Sequence, residues 1–261
     1  MDKKRSIHFI TYGEGGHSYE MAKRRICNEA RAVGWFTTIK PFGYNDLSAD
    51  FKHKYNAILQ LKKGGGFWIW KVDIILQTLL SISDGDYVVY LDAGCTINPH
   101  GKERFFEYLN MLDTSEYGVI DFEMQGPFSM TKRQCTKQVF DYFGIDTSSE
   151  LVNRGHCVPG ALIIKKNRHI ELILHEFLKL LDTDPYLVTD TYNKTQQHDS
   201  YWDHRHDQSI FTCLFMKYGA LQIKRNETYS FGDTQEDHSP ENGKYGSAPS
   251  LKYPFWATRY R

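Results

Sequence analysis

The sequence has no excess of charge of either sign: 32 Lys and Arg stand against 32 Asp and Glu. That balance argues against a chain whose main work is wrapping nucleic acid or coating an anionic membrane, although it leaves room for a local basic pocket. No apolar run approaches the ~18 residues of a membrane span, and the mean hydropathy is −0.53. The opening MDKKRSIHFITYGEGG has a basic head, but its apolar stretch is too short for a secretory leader and ends in glycines. The five cysteines (27, 95, 135, 157 and 213) are odd in number and include no C-x-x-C pair. Neither a disulfide framework nor a zinc ribbon fits that spacing. The expectation is a cytoplasmic protein, with peripheral attachment to a membrane left open. No internal repeat or low-complexity tract is visible.

What is abundant is aromatic side chain: 17 Tyr, 16 Phe and 5 Trp, 15% of 261 residues. Rings with polar tips suit the binding of sugars and bases, and they equally suit an aromatic-rich core. A chain of this length buries roughly three-quarters of its unfolded surface and needs no staples.

Strands and helices alternate along the chain. Ser6 to Tyr12 reads as a buried strand ending at Gly13. His17 to Val33 reads as a helix, with Met21, Arg25, Asn28 and Ala32 on one stripe and Gly34 as its stop. Trp35 to Lys40 follows as a second strand, completing a parallel unit. Ala49 to Leu61 reads as a helix, 62–66 as a Gly-rich break, and Trp70 to Ile82 as a strongly apolar helix. Tyr87 to Leu91 (YVVYL) has the continuous apolar character of a central parallel strand. Helices are expected over 103–112, 132–143, 170–181 and 207–218, and strands over 117–122, 161–165 and 221–224. The whole is an α/β fold with a mainly parallel central sheet flanked by helices. A single domain is expected over 1–225, with 226–261 as a tail or lid packed on it.

Ligands of open α/β sheets bind beyond the carboxyl ends of the strands. The informative residue there is Asp92, which ends YVVYL and is followed by Ala93 and Gly94. A carboxylate at such a rim can hold a divalent cation beside a diphosphate, with small residues letting the phosphates approach. An ordinary turn or N-cap aspartate would look the same.

The stretch GGGFWIWKVDIILQTLLSISDGDYVVYLDAGCTIN resembles a segment of the GT-A glycosyltransferases. In that family a helix feeds an acidic turn and then a strand ending in an Asp-x-Asp metal motif. Here the motif reads Asp92-Ala93-Gly94, so glycine replaces the second carboxylate. The stretches NRGHCVPGALIIKKN and Arg205-His206-Asp207-Gln208-Ser209-Ile210-Phe211 are similar to later family blocks, in the same order. The resemblance covers roughly residues 5 to 225 and implies one Rossmann-like domain. It also implies transfer of a hexose from a nucleotide sugar, UDP-linked by preference, to a glycan, as in polysaccharide biosynthesis. It implies Mn²⁺ or Mg²⁺ as cofactor, held by Asp92 and a late histidine, His238. Thr11, Tyr12 and Gly13 are expected beside the base or ribose, and Lys71, Asp92, Ala93 and Gly94 beside the diphosphate. His206, Asp207 and Gln208 are the expected catalytic residues. Asp207 opens a helix, whose dipole and free N–H groups would keep it ionised; a plain N-cap is the alternative.

Other clusters carry less. His198, His204 and His206 lack the spacing of a zinc site. Gly13-x-Gly15-Gly16 lacks both the Walker Lys-Ser/Thr and the full dinucleotide spacing. A sugar-1-phosphate nucleotidyltransferase would need a G-x-G-T-R-type loop after the first strand, and Tyr12 to Gly16 has no arginine. A non-catalytic glycan- or nucleotide-sugar-binding protein on the same fold stays open, because of Gly94.

Overall fold

The computed structural model describes residues 5–228 and 252–260. The chain begins with β1 (Ile7–Tyr12), α1 (His17–Val33) and β2 (Thr38–Phe42). Short helices α2 (Ala49–Lys54) and α3 (Asn56–Leu59) and a single turn α4 (Gly64–Phe67) lead to α5 (Trp70–Ser81) and β3 (Tyr87–Leu91). Then come β4 (Thr96–Ile97), α6 (Lys102–Asp113), β5 (Ile120–Phe122), α7 (Thr131–Gln134) and α8 (Lys137–Phe143). The series continues with β6 (Ala161–Lys165), α9 (Arg168–Thr183), α10 (Asp207–Tyr218), β7 (Leu221–Ile223) and β8 (Phe255–Trp256).

The central sheet has the order β2-β1-β3-β6. β1 pairs parallel with β2 and β3, whereas β6 runs antiparallel to β3. Side chains alternate across a strand, and both faces of this sheet are covered. Ile10, Tyr12, Val88, Tyr90, Leu162 and Ile164 join the core built with α5, α8, α9 and α10. Ile7, Phe9, Val89, Leu91 and Ile163 join the core built with α1 and α6. The uninterrupted apolar run YVVYL follows from that double burial. β4 pairs with β8 and β5 with β7, each as a separate two-stranded ribbon.

Three expectations need correction. The buried face of α1 is Ala22, Ile26, Cys27 and Ala30, while Met21 is exposed. Small residues let that helix lie close on the sheet, which outweighs the pull of one methionine. The second strand is Thr38–Phe42 rather than 35–40, because Trp35 packs with Phe105 and Phe255 in the core. The helices expected over 49–61 and 132–143 are each broken, at Tyr55 and at Cys135-Thr136. The strand expected over 221–224 is present as β7 and pairs with β5.

Candidate active site

β1 and β3 run side by side in register Ile10 with Tyr90. Two residues farther on, Tyr12 and Asp92 therefore leave the sheet as neighbours, at the edge where α/β sheets bind ligands. A cleft of about 710 Å³ opens there, within the roughly 300–1,000 Å³ of small-molecule sites. Its lining includes Tyr12, Gly13, Lys71, Asp92, Ala93, Gly94, His206, Asp207 and Gln208.

Strand alternation puts Asp92 on the same face as Tyr90, the face that α5 covers. The Tyr90 hydroxyl donates to Asp92 Oδ1. Lys71, on the first turn of α5, is almost wholly buried and donates to Asp207 Oδ2 at 2.5 Å. The same ammonium lies 3.8 Å from Asp92 Oδ1. Burial disfavours the charge on Lys71, but the Asp207 and Asp92 carboxylates outweigh it, and its pKa is raised. Burial pushes the Asp207 carboxyl up, with Lys71 opposing the push and Asp92 adding to it. Lys71 is thus neither a free phosphate ligand nor a helix-start charge in water. Asp207 is the first residue of α10, and its principal partner is the ammonium of a distant helix rather than the N–H groups of its own. Gly160 makes room for the triad: a Cβ there would lie 2.8 Å from Asp92 Oδ2.

The Gly-rich break is a run of left-handed backbone. Gly64, Gly65, Gly66, Phe67 and Trp68 have φ of 60°, 58°, 93°, 53° and 62°. Such a run suits glycine and strains the two aromatics that end it. It sets Lys63, Gly64, Gly65 and Trp68 along the cleft. Trp70 also borders the cleft but belongs mostly to the core, stacked on Tyr12 at 3.8 Å with its indole N–H donated to the Gly64 carbonyl at 3.0 Å.

His206, also left-handed at φ 56°, lies 2.9 Å from Asp190 through Nε2. Lys63 holds the other side of Asp190 at 2.9 Å. Burial lowers the His206 pKa against the pull of Asp190. The Gln208 side-chain amide donates to the Cys157 carbonyl at 2.7 Å. Thr11 is fully buried within β1 and is not among the cleft residues. Only Tyr12 and Gly13 of the expected base-side trio reach the cleft, because strand alternation turns Thr11 into the protein. His204 and His198 turn to the carbonyls of Leu187 and Cys135.

No group of three or more His, Cys, Asp or Glu side chains suited to a metal occurs among the described residues. Asp92 supplies one carboxylate, Asp207 is taken by Lys71, and residue 94 has no side chain. An ammonium 3.8 Å from Asp92 already competes for its charge. The described residues alone do not fit a divalent cation, and His238 lies outside them.

Sequence reasoning missed several cleft residues. Gly160 carries a weak signal, a Pro-Gly turn feeding a strand. Arg205 stands inside the block that drew attention to Asp207. Arg259 carries none, since nothing in its neighbours marks it as close to Gly94.

Three solved structures to which the chain is similar are glycosyltransferases. Mouse xyloside xylosyltransferase 1, in its apo form, is 11% identical with a TM-score of 0.49, covering 96% of this chain and 97% of that one. The galactosyltransferase LgtC, solved with donor and acceptor sugar analogues, is 15% identical with a TM-score of 0.43, covering 97% and 84%. A glycosyltransferase involved in glycosylation of the major capsid of PBCV-1 is 10% identical with a TM-score of 0.36, covering 76% and 81%. No protein-family model matches the chain, and no curated protein does.

Proposed function

We propose that this chain is a glycosyltransferase that moves a hexose from a nucleotide sugar, preferably UDP-linked, to a glycan acceptor. The observation that carries the reading is the Asp207–Lys71–Asp92 arrangement at the strand ends, in a cleft large enough for a sugar nucleotide. In the transfer, the acceptor oxygen bonds to the anomeric carbon. The bond from that carbon to the diphosphate breaks, its electron pair stays on the diphosphate, and the acceptor proton passes to the diphosphate or to water. Positive charge builds on the sugar as this happens. Two carboxylates around one ammonium leave a net negative floor, which favours that charge.

Tyr12 and Gly13 are then placed for the base or ribose, and Asp92, Ala93 and Gly94 for the sugar-diphosphate junction. Asp207 is fixed by Lys71 and cannot be a free general base while that contact lasts. This supports a positioning and charge-stabilising role, with His206 and Gln208 beside it, and retention of the anomeric configuration. A divalent cation, Mn²⁺ or Mg²⁺, enters the reading only through Asp92 together with a donor beyond the described residues, for which His238 is the candidate. The five cysteines are free and buried, which supports a reducing, cytoplasmic setting. No described helix is long and apolar enough to cross a membrane.

The test is release of nucleoside diphosphate from a panel of UDP- and GDP-hexoses, with an oligosaccharide acceptor mixture, in manganese and in EDTA. If no nucleotide sugar raises the melting temperature and none is consumed, the proposal fails. One feature favours a non-catalytic binding protein instead, the glycine at 94. That reading predicts a raised melting temperature without product.

A further inference from the structure

Gly94 occupies the place of the second carboxylate in an Asp-x-Asp pattern, and the fold shows what fills the space. A Cβ at 94 would lie 3.1 Å from Arg259 Cα and 3.4 Å from its carbonyl carbon. The Gly94 carbonyl accepts from the Thr258 hydroxyl at 2.8 Å and from the Tyr260 amide at 2.9 Å. Pairing of β8 with β4 holds the same segment one step earlier, Trp256 opposite Thr96 and Phe255 opposite Ile97. Beneath the turn, Arg25 donates to the Ala93 and Cys95 carbonyls at 3.0 and 2.7 Å. The Asp-Ala-Gly turn is therefore clamped between α1 and a strap made of residues 255–260.

The strap delivers one charged side chain to the cleft. Arg259 is exposed and lines the cleft with Asp92, Ala93 and Gly94. Its backbone is left-handed at φ 58°, a strained state for a residue with a Cβ. Of the other lining cations, Lys71 is committed to Asp207 and Lys63 to Asp190, and Arg205 lies 4.0 Å from Asp203, while Lys62 stands on the Gly-rich break rather than at the Asp-Ala-Gly turn. Arg259 makes no hydrogen bond or ion pair with the described residues. A diphosphate also could not be held by the cleft floor, where two carboxylates outnumber Lys71. It needs a separate positive charge near Ala93 and Gly94.

We propose that Arg259 is that charge: the strap presents its guanidinium to the diphosphate of the nucleotide donor, at the position that Gly94 leaves open. A guanidinium stays charged at any working pH, and its planar fork matches two phosphate oxygens. As the sugar departs, the electron pair left on the diphosphate oxygen gains a fixed counter-charge. This rests on the nucleotide-sugar reading above and adds to it the residue that recognises the phosphates.

The experiment is titration calorimetry of the full chain with UDP, GDP, inorganic pyrophosphate and uridine, each in EDTA and in manganese. Arg259→Gly and Arg259→Lys are compared with wild type. Glycine suits the left-handed backbone, so a strap with only a structural role predicts unchanged or higher melting temperature and unchanged binding. The expected result is tenfold or greater weakening of UDP or GDP and of pyrophosphate in Arg259→Gly, with an undiminished melting temperature and no change toward uridine. Arg259→Lys should recover part of the loss. Equal diphosphate affinity in wild type and Arg259→Gly overturns the assignment and leaves the nucleotide-sugar reading standing. Failure of wild type to bind any of the diphosphates in either condition overturns both.

Discussion

The Lys71 ammonium donates to the Asp207 carboxylate at 2.5 Å although the two residues are 136 positions apart, and water reaches almost none of either. Removing one partner leaves the other charge buried and unmatched, which costs on the order of 3–5 kcal/mol, whereas replacing both by apolar groups costs much less. Lys71→Met and Asp207→Leu should each lower stability more than the double variant does. Denaturant unfolding of the four proteins measures the cycle, and strict additivity would show that the contact carries no coupling.

Asp207 should also matter for rate. Asp207→Asn keeps the shape of the side chain, and Lys71 retains Asp92 as a counter-charge. Turnover is expected to fall by on the order of 10² or more, with donor Kd changed far less. Near-normal turnover with a lowered melting temperature would reduce Asp207 to a structural partner of the buried Lys71 ammonium.

Asp92 makes its charge available beyond the sheet, since its side chain is half-exposed while Asp207 is buried. Asp92→Asn keeps an oxygen for the Tyr90 hydroxyl, so the fold should survive and activity should not. Gly160→Ala tests the same carboxylate without touching it, because the new methyl would stand 2.8 Å from Oδ2. Kinetics should show kcat reduced in both variants; more than a tenth of wild-type activity in Asp92→Asn contradicts its role.

The two tryptophans of the Gly-rich loop should separate. Trp70 is stacked on Tyr12 in the core, and Trp68 is half-buried at the cleft. Trp70→Phe should cost stability, while Trp68→Phe should remove most of a nucleotide-induced fluorescence change. A signal unaltered in both single variants would make the whole strip structural.

Acid should weaken the fold through its buried histidines. Burial holds His156 and His204 at about 3, against an ordinary 6.5. The unfolded chain therefore takes up these protons first, and their stabilising contribution is whole above pH 6.5 and declines as pH falls toward 3. Each site loses on the order of 2 kcal/mol between pH 6.5 and 5. Asp121 and Asp207, raised by burial, act in the opposite sense. The check is the slope of melting temperature against pH, which should be flatter in His204→Gln than in wild type.

Some of this molecule is local chemistry, readable along the chain. Alternation and apolar continuity make YVVYL a strand buried on both faces, and whatever follows such a strand in an α/β sheet meets the ligand edge. Asp92 was therefore visible, as were the helix start at Asp207 and the Gly-rich break before Trp70. The face of α1 was less so, because small residues and one methionine pull the pattern in different directions until the sheet beneath is known. The direction of β6 was not, since an apolar pentapeptide reads the same in either orientation.

Tertiary structure decided everything that depends on long-range meeting. That Lys71 is spent on Asp207 follows from the first turn of α5 reaching the first residue of α10, a contact with no trace in either neighbourhood. That Thr11 is excluded from the cleft follows from a pleat that turns alternate side chains inward. The glycine at 94 reads in sequence as a lost metal ligand. In the fold it is the surface on which Thr258, Arg259 and Tyr260 lie, close enough that a Cβ at 94 would crowd the Arg259 backbone at 3.1 Å.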